Sequence, residues 1–175
     1  NDEFALLIQQ LAANYESVSI VGHSQGGMAS LHLLENYWSH LDNAKSTNDY
    51  RVLQSVGTPY RGSGLAGTLA SIGSVFGVGC GANTDLTHDG AERWLATISA
   101  ESKKNVYYYT SQYKPYSYCN LAANAVLAWP NDGTTELDYA NLDGANKQSH
   151  LQGYCHTADM KYPPQCQNHD QNQEI

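Results

Sequence analysis

The chain has 175 residues, of which 41% are hydrophobic and 15% charged, so it suits one globular domain and not a disordered segment. Nine basic residues stand against 17 acidic ones, and the resulting net charge of -8 argues against a nucleic-acid partner. No apolar run approaches the length of a membrane span.

The first predicted elements are a helix, a strand and a second helix. The amphipathic pattern of residues 3–14 predicts a helix whose apolar face carries Phe4, Leu7, Ile8 and Leu11. The β-branched residues between 18 and 21 predict a strand. Beyond Gly27, apolar residues recur at steps of three and four, which predicts a helix with one apolar face: Met28, Leu31, Leu34 and Trp38.

Between this strand and this helix lies the segment VGHSQGG, residues 21–27. Glycines two before and two after Ser24 relieve the crowding of a sharp turn, because they have no Cβ. The pattern is a G-x-S-x-G nucleophile elbow, in which the serine is exposed at the tip of a strand-to-helix turn. The backbone N–H of Gln25 would then point at whatever Ser24 attacks.

The rest of the chain alternates between strand and helix patterns. The Gly/Ala/Ser-rich stretch 64–83 is hard to assign, and a short helix near 65–72 acting as a lid is one interpretation. The other predictions are a strand at 51–56, a turn at 57–59, a helix at 86–98 with Thr87 as N-cap, a strand at 105–112, a helix at 119–129, a turn-rich loop at 130–136 and a strand at 146–154. This alternation predicts one α/β domain over residues 1–175 with a mostly parallel sheet.

The four cysteines indicate whether the protein is secreted or cytosolic. None forms a C-x-x-C pair, so a structural zinc site is not predicted. An even cysteine count, few lysines and 13 tyrosines predict a secreted protein with two disulfides. We favour the pairs Cys155–Cys166 and Cys80–Cys119, although four cysteines allow three connectivities.

An elbow serine needs a base, and the base needs an orienting acid. In α/β-hydrolases the chain order is serine, acid, histidine. Asp132 fits the acid, because it lies in an Asn-Asp-Gly turn after a strand and a helix. Glu136 and Asp138 are the alternatives.

Seven histidines compete for the role of base. Four precede the acid and are set aside for that reason: His23, His32, His40 and His88. Of the three that follow, His169 lies in a polar tail and His150 lies inside a predicted strand. His156 follows that strand in a loop beside Cys155, and we favour it on this position.

These segments together resemble the bacterial secreted lipases of the α/β-hydrolase fold. VGHSQGG at 21–27, SVGTPYRGS at 55–63, DLTHDGA at 85–91 and NDG at 131–133 carry the resemblance, which covers most of residues 3–160. In those lipases the histidine follows the acid by a little over twenty residues. The separation here is 156 − 132 = 24 for His156 and 150 − 132 = 18 for His150.

The resemblance implies a function and a site. It implies hydrolysis of carboxylic esters, with acyl lipids as the favoured class, through Ser24, Asp132 and His156, with the Gln25 N–H in the oxyanion hole. Thioesterase, acyltransferase, polyester depolymerase and peptidase activities use the same triad, and a non-catalytic binding protein of this fold is a further alternative. No cofactor or metal is predicted. Many of these lipases bind calcium through an aspartate two residues after the histidine, where this chain has Ala158, with Asp159 one later.

The resemblance also implies polypeptide beyond these residues. In α/β-hydrolases the elbow strand pairs with an earlier strand, whose following loop supplies a second oxyanion donor. Only one helix precedes the elbow strand here. We therefore expect an upstream segment of the same fold, of roughly several tens of residues or more, as a separate chain or as part of the gene product. The alternative is a shortened fold that closes its sheet edge by dimerisation.

Overall fold

The computed structural model describes residues 2–15, 18–37, 52–66, 84–114 and 125–157. Four parallel strands form one sheet in the order β1-β2-β3-β4, so each strand lies beside the next one in the chain. The strands are β1 (Ile20–His23), β2 (Leu53–Val56), β3 (Val106–Gln112) and β4 (Asn146–Gln152). The mostly parallel sheet that the sequence predicts is therefore present in the described residues.

Within the described ranges, five α-helices accompany the sheet. They are α1 (Asp2–Ala12), α2 (Gln25–Asn36), α3 (His88–Leu95), α4 (Ala100–Lys104) and α5 (Leu137–Ala140), and a 3-10 turn at Thr84–Leu86 precedes α3. The predicted cap of α3 is confirmed, because the Thr87 side chain accepts a hydrogen bond from the Gly90 N–H. The sequence analysis did not separate α4 or α5 from their surroundings. With only five and four residues, they are too short to show a helical period.

The register of the parallel pairs aligns the ends of three neighbouring strands. His23 lies opposite Val56, and Val56 lies opposite Tyr109. The pairing of β3 with β4 shifts between Tyr108 and Thr110, so β4 reaches the same end through an irregularity. The loops that follow all four strands therefore start from the carboxyl ends of the strands, on one side of the sheet. Ligands bind at this end of open α/β sheets.

The hydrophobic core joins the sheet to α1 and α2. Leu53 and Val106 of the central strands are fully buried, and Leu31 and Leu33 of α2 belong to the same cluster. On α1 the buried residues are Ala5, Ile8 and Ala12. The predicted apolar face of this helix was therefore partly wrong, because Leu7 and Leu11 are 52% and 48% exposed.

Two further predictions are corrected or left open. The predicted helix at 119–129 is not helical over Val126–Trp129, where the chain forms a turn and bends. The chain leads there into Pro130, which disfavours helical geometry in the residue before it. The predicted short helix near 65–72 lies almost wholly outside the described residues.

The predicted disulfides stay predictions. Cys155 is disulfide-bonded, but Cys80, Cys119 and Cys166 lie outside the described residues. The calcium-related positions Ala158 and Asp159 also lie outside them. Within the described ranges, no helix is long and apolar enough to cross a membrane.

Candidate active site

Ser24 lies at the turn between β1 and α2 in a strained backbone conformation. Its φ of 56° makes it the one non-glycine residue with positive φ among the described residues. Such a conformation is costly for a residue with a Cβ and is concentrated at functional sites. The sharp strand-to-helix turn that the sequence predicts here is therefore present, with α2 starting at the next residue.

The hydroxyl of Ser24 is not used to cap its helix. Among the described helices, a Ser or Thr occupies the N-cap position of three, and two of these residues, Thr87 and Ser99, accept a hydrogen bond from a backbone N–H of the first turn. The Ser24 side chain makes no such bond. Gln25 is the first residue of α2. Its backbone N–H therefore has no carbonyl acceptor within the helix.

Close packing across the elbow depends on the absence of side chains. A Cβ at Gly22 would lie 2.7 Å from the Gly27 nitrogen, and a Cβ at Gly27 would lie 2.1 Å from Thr58 Oγ1. Thr58 belongs to the Gly-Thr-Pro segment after β2, and its hydroxyl donates to the Ser24 carbonyl oxygen at 2.8 Å. The segment that supported the resemblance thus holds the elbow from the neighbouring strand.

Asp132 and His156 form a buried pair. His156 Nδ1 lies 2.8 Å from Asp132 Oδ2, and the two residues are 4% and 1% exposed. The carboxylate only accepts, so Nδ1 carries the proton and donates it, which leaves the lone pair of the neutral ring on Nε2. His156 Nε2 is buried and has no hydrogen-bond partner among the described residues.

The second carboxylate oxygen of Asp132 is also satisfied. Asp132 Oδ1 accepts from the backbone N–H groups of Thr134 at 2.9 Å and Thr135 at 2.7 Å. The His156 N–H donates to the Asp132 carbonyl at 2.7 Å, so the two loops are joined through the backbone as well. The turn that looked ordinary in the sequence is an Asx turn that fixes the orientation of the carboxylate.

The residues considered as alternatives have other contacts. The Glu136 carboxylate is 3.3 Å from the Gly64 N–H, and Asp138 is exposed on α5. His150 Nδ1 lies 2.9 Å from Thr110 Oγ1, and its Nε2 lies 3.2 Å from Gln112 Oε1. Burial, with a smaller effect of Lys147, lowers the pKa of His150.

Among the other described histidines, His23 contacts the Asp132–His156 pair, and His88 and His32 contact other residues. The His23 ring packs against the His156 ring with centroids 4.7 Å apart, a contact that the sequence analysis did not foresee. His88 stacks on Tyr139 at 3.7 Å, and His32 contacts Asn36. His40 and His169 lie outside the described residues. No cluster of three or more potential metal ligands occurs within the ranges that the structure describes.

Comparison with known families decides where the chain belongs. Residues 1–175 match the family described as the conditioned medium factor C-terminal domain. The chain belongs to this family. The "Conditioned medium factor" of Dictyostelium discoideum is 48% identical over 179 residues, a match that covers the whole chain and 26% of that relative. The chain thus spans about a quarter of the relative's length.

Solved structures show the fold of this chain. A Bacillus licheniformis lipase in its mature form aligns with a TM-score of 0.63 at 18% identity, over 87% of this chain and 64% of the lipase. A metagenomic carboxyl esterase aligns with a TM-score of 0.68 at 20% identity, over 88% of this chain and 50% of the esterase. The predicted resemblance to bacterial lipases therefore holds for the fold.

Proposed function

We propose that this conditioned medium factor domain is a serine hydrolase that cleaves carboxylic esters through an acyl-enzyme. The observation that carries the proposal is the buried Asp132–His156 pair, whose Nδ1 and Oδ2 atoms are 2.8 Å apart and whose Nε2 atom has no hydrogen-bond partner in the part of the chain that the structure describes. A histidine held in this way is oriented as a general base. Asp132 lies in the chain after β3 and His156 lies in the loop after β4. Ser24 follows β1, so all three residues come after the carboxyl end of a strand.

The proposed reaction begins with Ser24. Its Oγ attacks the ester carbonyl carbon while His156 Nε2 takes the hydroxyl proton, and the carbonyl oxygen becomes an oxyanion. The Gln25 N–H donates to this oxyanion. When the bond from carbon to the alkoxy oxygen breaks, His156 returns the proton and the alcohol leaves. Water then attacks the Ser24 ester in the same way and releases the carboxylic acid.

Asp132 acts on this reaction through His156. Its carboxylate holds the ring in the tautomer that leaves Nε2 free, and it stabilises the imidazolium that forms when Nε2 is protonated. The backbone N–H groups of Thr134 and Thr135 hold the carboxylate in place. Burial of both partners strengthens their interaction relative to water.

An apolar acyl ester is the substrate class that we favour. Val126 and Trp129 are 44% and 50% exposed, and they lie on the segment that leads into the Asp132 turn. Trp129 is supported edge-on by Tyr113, with ring centroids 5.2 Å apart. A supported, exposed aromatic three residues before Asp132 in the chain offers a surface for an acyl chain. We also infer that the domain is secreted, since its relative is named for conditioned medium.

A second candidate function is binding without catalysis. The observation that favours it is the printed name of the relative, a factor and not a hydrolase. A binding protein of this fold would keep the sheet and the core without needing a reactive Ser24.

A panel of nitrophenyl esters of increasing acyl length distinguishes the two candidates. We expect turnover that depends on chain length and falls by about a thousandfold or more in Ser24→Ala. Ser30→Ala is the matched control, because Ser30 lies on α2 and bonds only the Gly26 carbonyl, at 2.7 Å. Equal rates for wild type, Ser24→Ala and buffer would favour binding.

A further inference from the structure

Two buried hydroxyl groups join the segment after β2 to the turn that carries Asp132. The Ser63 hydroxyl donates to the Thr134 carbonyl oxygen at 2.6 Å. The Thr135 hydroxyl donates to the Gly57 carbonyl oxygen at 3.2 Å. Ser63 and Thr135 are 6% and 2% exposed. Because a buried hydroxyl is costly to leave unpaired, these bonds hold the segment and the turn together.

The same segment, residues 57–63, also bonds the nucleophile elbow. The Thr58 hydroxyl donates to the Ser24 carbonyl oxygen at 2.8 Å. The segment therefore contacts both the part of the site that carries Ser24 and the part that carries Asp132. Its hydroxyl groups reach backbone oxygens and not the reacting atoms, so their effect on the proposed reaction is one of position.

The bond from Ser63 acts on a peptide group that is held at both of its ends. The Thr134 carbonyl and the Thr135 N–H belong to one peptide group, and such a group is planar. Ser63 holds the carbonyl end at 2.6 Å, and the N–H end donates to Asp132 Oδ1 at 2.7 Å. The group therefore cannot rotate without breaking one of these two hydrogen bonds.

The hydrogen bonds continue from this peptide group to the proposed base. Asp132 Oδ2 accepts the Nδ1 proton of His156 at 2.8 Å. A hydrogen bond to a carbonyl oxygen polarises the peptide group and strengthens its N–H as a donor, by about 10–30% per bond. Loss of the Ser63 hydroxyl would therefore weaken the bond to Asp132 and free the peptide group to rotate.

We propose that Ser63 is a positioning residue of the candidate active site, which acts through the 134–135 peptide group on Asp132 and thereby on His156. The consequence for catalysis rests on the proposed function, whereas the hold on the Asp132 turn does not. In the sequence, Ser63 is the last residue of SVGTPYRGS, where no local pattern marks it for this role.

Kinetics of the intact protein on nitrophenyl esters measure the effect on catalysis. Ser63→Ala removes the hydroxyl, which also accepts from the Leu65 N–H at 3.2 Å. We expect kcat to fall by about 10- to 100-fold with KM unchanged, because a small displacement of the base has an effect of this size. Ser63→Thr keeps a hydroxyl and should restore most of kcat. Ser102→Ala is the matched control, because Ser102 is also buried but lies on α4, and its kcat should equal that of the wild type.

Hydrogen–deuterium exchange followed by mass spectrometry measures the hold on the turn without ester hydrolysis. The N–H groups of Thr134 and Thr135 are both bonded to Asp132 Oδ1, so they should exchange slowly in the wild type. We expect exchange about fivefold faster in Ser63→Ala, and the wild-type rate in Ser63→Thr and Ser102→Ala. The peptide that covers β3 is the internal reference and should exchange equally in all four proteins.

Other results overturn the positioning role of Ser63. Unchanged exchange at 134 and 135 in Ser63→Ala would show that the hydroxyl does not hold the turn, whatever happens to kcat. Faster exchange over β3 as well would show a general loss of packing. Equal losses of kcat in Ser63→Ala and Ser63→Thr, or a change in KM alone, would also contradict it. If the wild type cleaves no ester but the exchange rates change as expected, the proposed function fails and the hold on the turn is supported.

Discussion

The β3–β4 side of the sheet and the β1 side hold their parts of the candidate site in different ways. On the β3–β4 side, hydrogen bonds fix the parts: Asp132 accepts two backbone N–H groups and one ring N–H. On the β1 side, missing side chains and strain fix Ser24, whose φ is 56°. Replacing the charge of Asp132 without changing its shape should therefore disturb the β3–β4 side. Adding atoms to the elbow glycines should disturb the β1 side.

The two sides also differ in how fully they are covered. Asp132 and His156 are almost completely buried, and the polar β4 strand is suited to an outer position. Ser24 is partly exposed, Gln25 is exposed, and Val21 leaves the β1 edge uncovered. The acid–base half of the site is thus buried among the described residues, while the nucleophile half lies at the more exposed β1 side.

The largest effect is expected on the hydrogen-bonded side. Asp132→Asn keeps the shape of the side chain, but its amide does not enforce the tautomer that leaves His156 Nε2 free. We expect kcat for ester hydrolysis to fall by about 10⁴-fold.

Glu136→Gln is the matched control for this change. Glu136 is also buried and lies four residues away, but it bonds the Gly64 N–H. We expect its kcat to stay near that of the wild type. Comparable losses in the two variants would mean that Asp132 is not the specific partner of the base.

A steric change should break the β1 side. The Cβ of Gly27→Ala would lie 2.1 Å from Thr58 Oγ1 and 2.9 Å from Ser55 Cβ, so the elbow must shift. We expect a loss of about 1–3 kcal/mol in the free energy of unfolding, measured by urea denaturation.

Gly26→Ala provides the control at the neighbouring position. Apart from its chain neighbours and the backbone of its own helix, no atom lies within 4 Å of a Cβ there, and the residue is part of α2. Replacing a helical glycine by alanine should stabilise the domain by about 0.5–1 kcal/mol. If both variants lose the same stability, close packing is not what fixes the elbow.

His23 links the two sides, because it lies on β1 and packs against His156 of the other side at 4.7 Å. Aromatic contacts of this kind are worth about 0.5–1.5 kcal/mol, which corresponds to roughly a two- to tenfold change in rate. We expect His23→Ala to lower kcat by this factor with little change in KM, and His23→Phe to restore most of it. A change confined to KM would contradict a positioning role.

The smallest effect concerns pH and the β4 edge. Burial, and to a smaller extent Lys147, lower the pKa of His150 in the folded protein. At pH values between the folded and the unfolded pKa, the unfolded state therefore binds more protons than the folded state. Stability from this group is complete above the unfolded value of about 6.5 and is lost as pH falls through the folded value. We expect the stability gap between wild type and His150→Gln to narrow from about pH 7.5 to about pH 5.5.

Thermal unfolding across this pH range measures the gap, with His32→Gln on α2 as the control. Parallel pH curves for wild type and His150→Gln would show that His150 does not contribute.

Much of the fold was readable from the sequence because its elements have local signals. The period of α1, the elbow glycines, the Thr87 cap and the strand at 106–112 each act over a few residues. The buried face of α1 was misjudged because the amphipathic pattern does not say which neighbour covers it. Ala5 and Ala12 meet the core, and two of the larger residues do not.

The contact between Asp132 and His156 could be predicted from the sequence, but the surroundings of the two residues could not. Chain order and spacing selected Asp132 and His156, which the structure brings into contact. The Asx turn had a signal in Asn-Asp-Gly-Thr-Thr, where short side chains bond their own backbone. The packing of His23 on His156 joins residues 133 positions apart (156 − 23). No local pattern encodes such a contact.

Labelling with a fluorophosphonate shows whether Ser24 is an activated nucleophile, because the reagent reacts with an activated serine whatever the natural substrate is. We expect one adduct per folded molecule of the intact protein, on the peptide that contains Ser24. The adduct is absent in Ser24→Ala, slow in His156→Ala and unchanged in Ser30→Ala. Folded wild-type protein that gains no adduct at Ser24, or gains it no faster than urea-unfolded protein, would contradict the account.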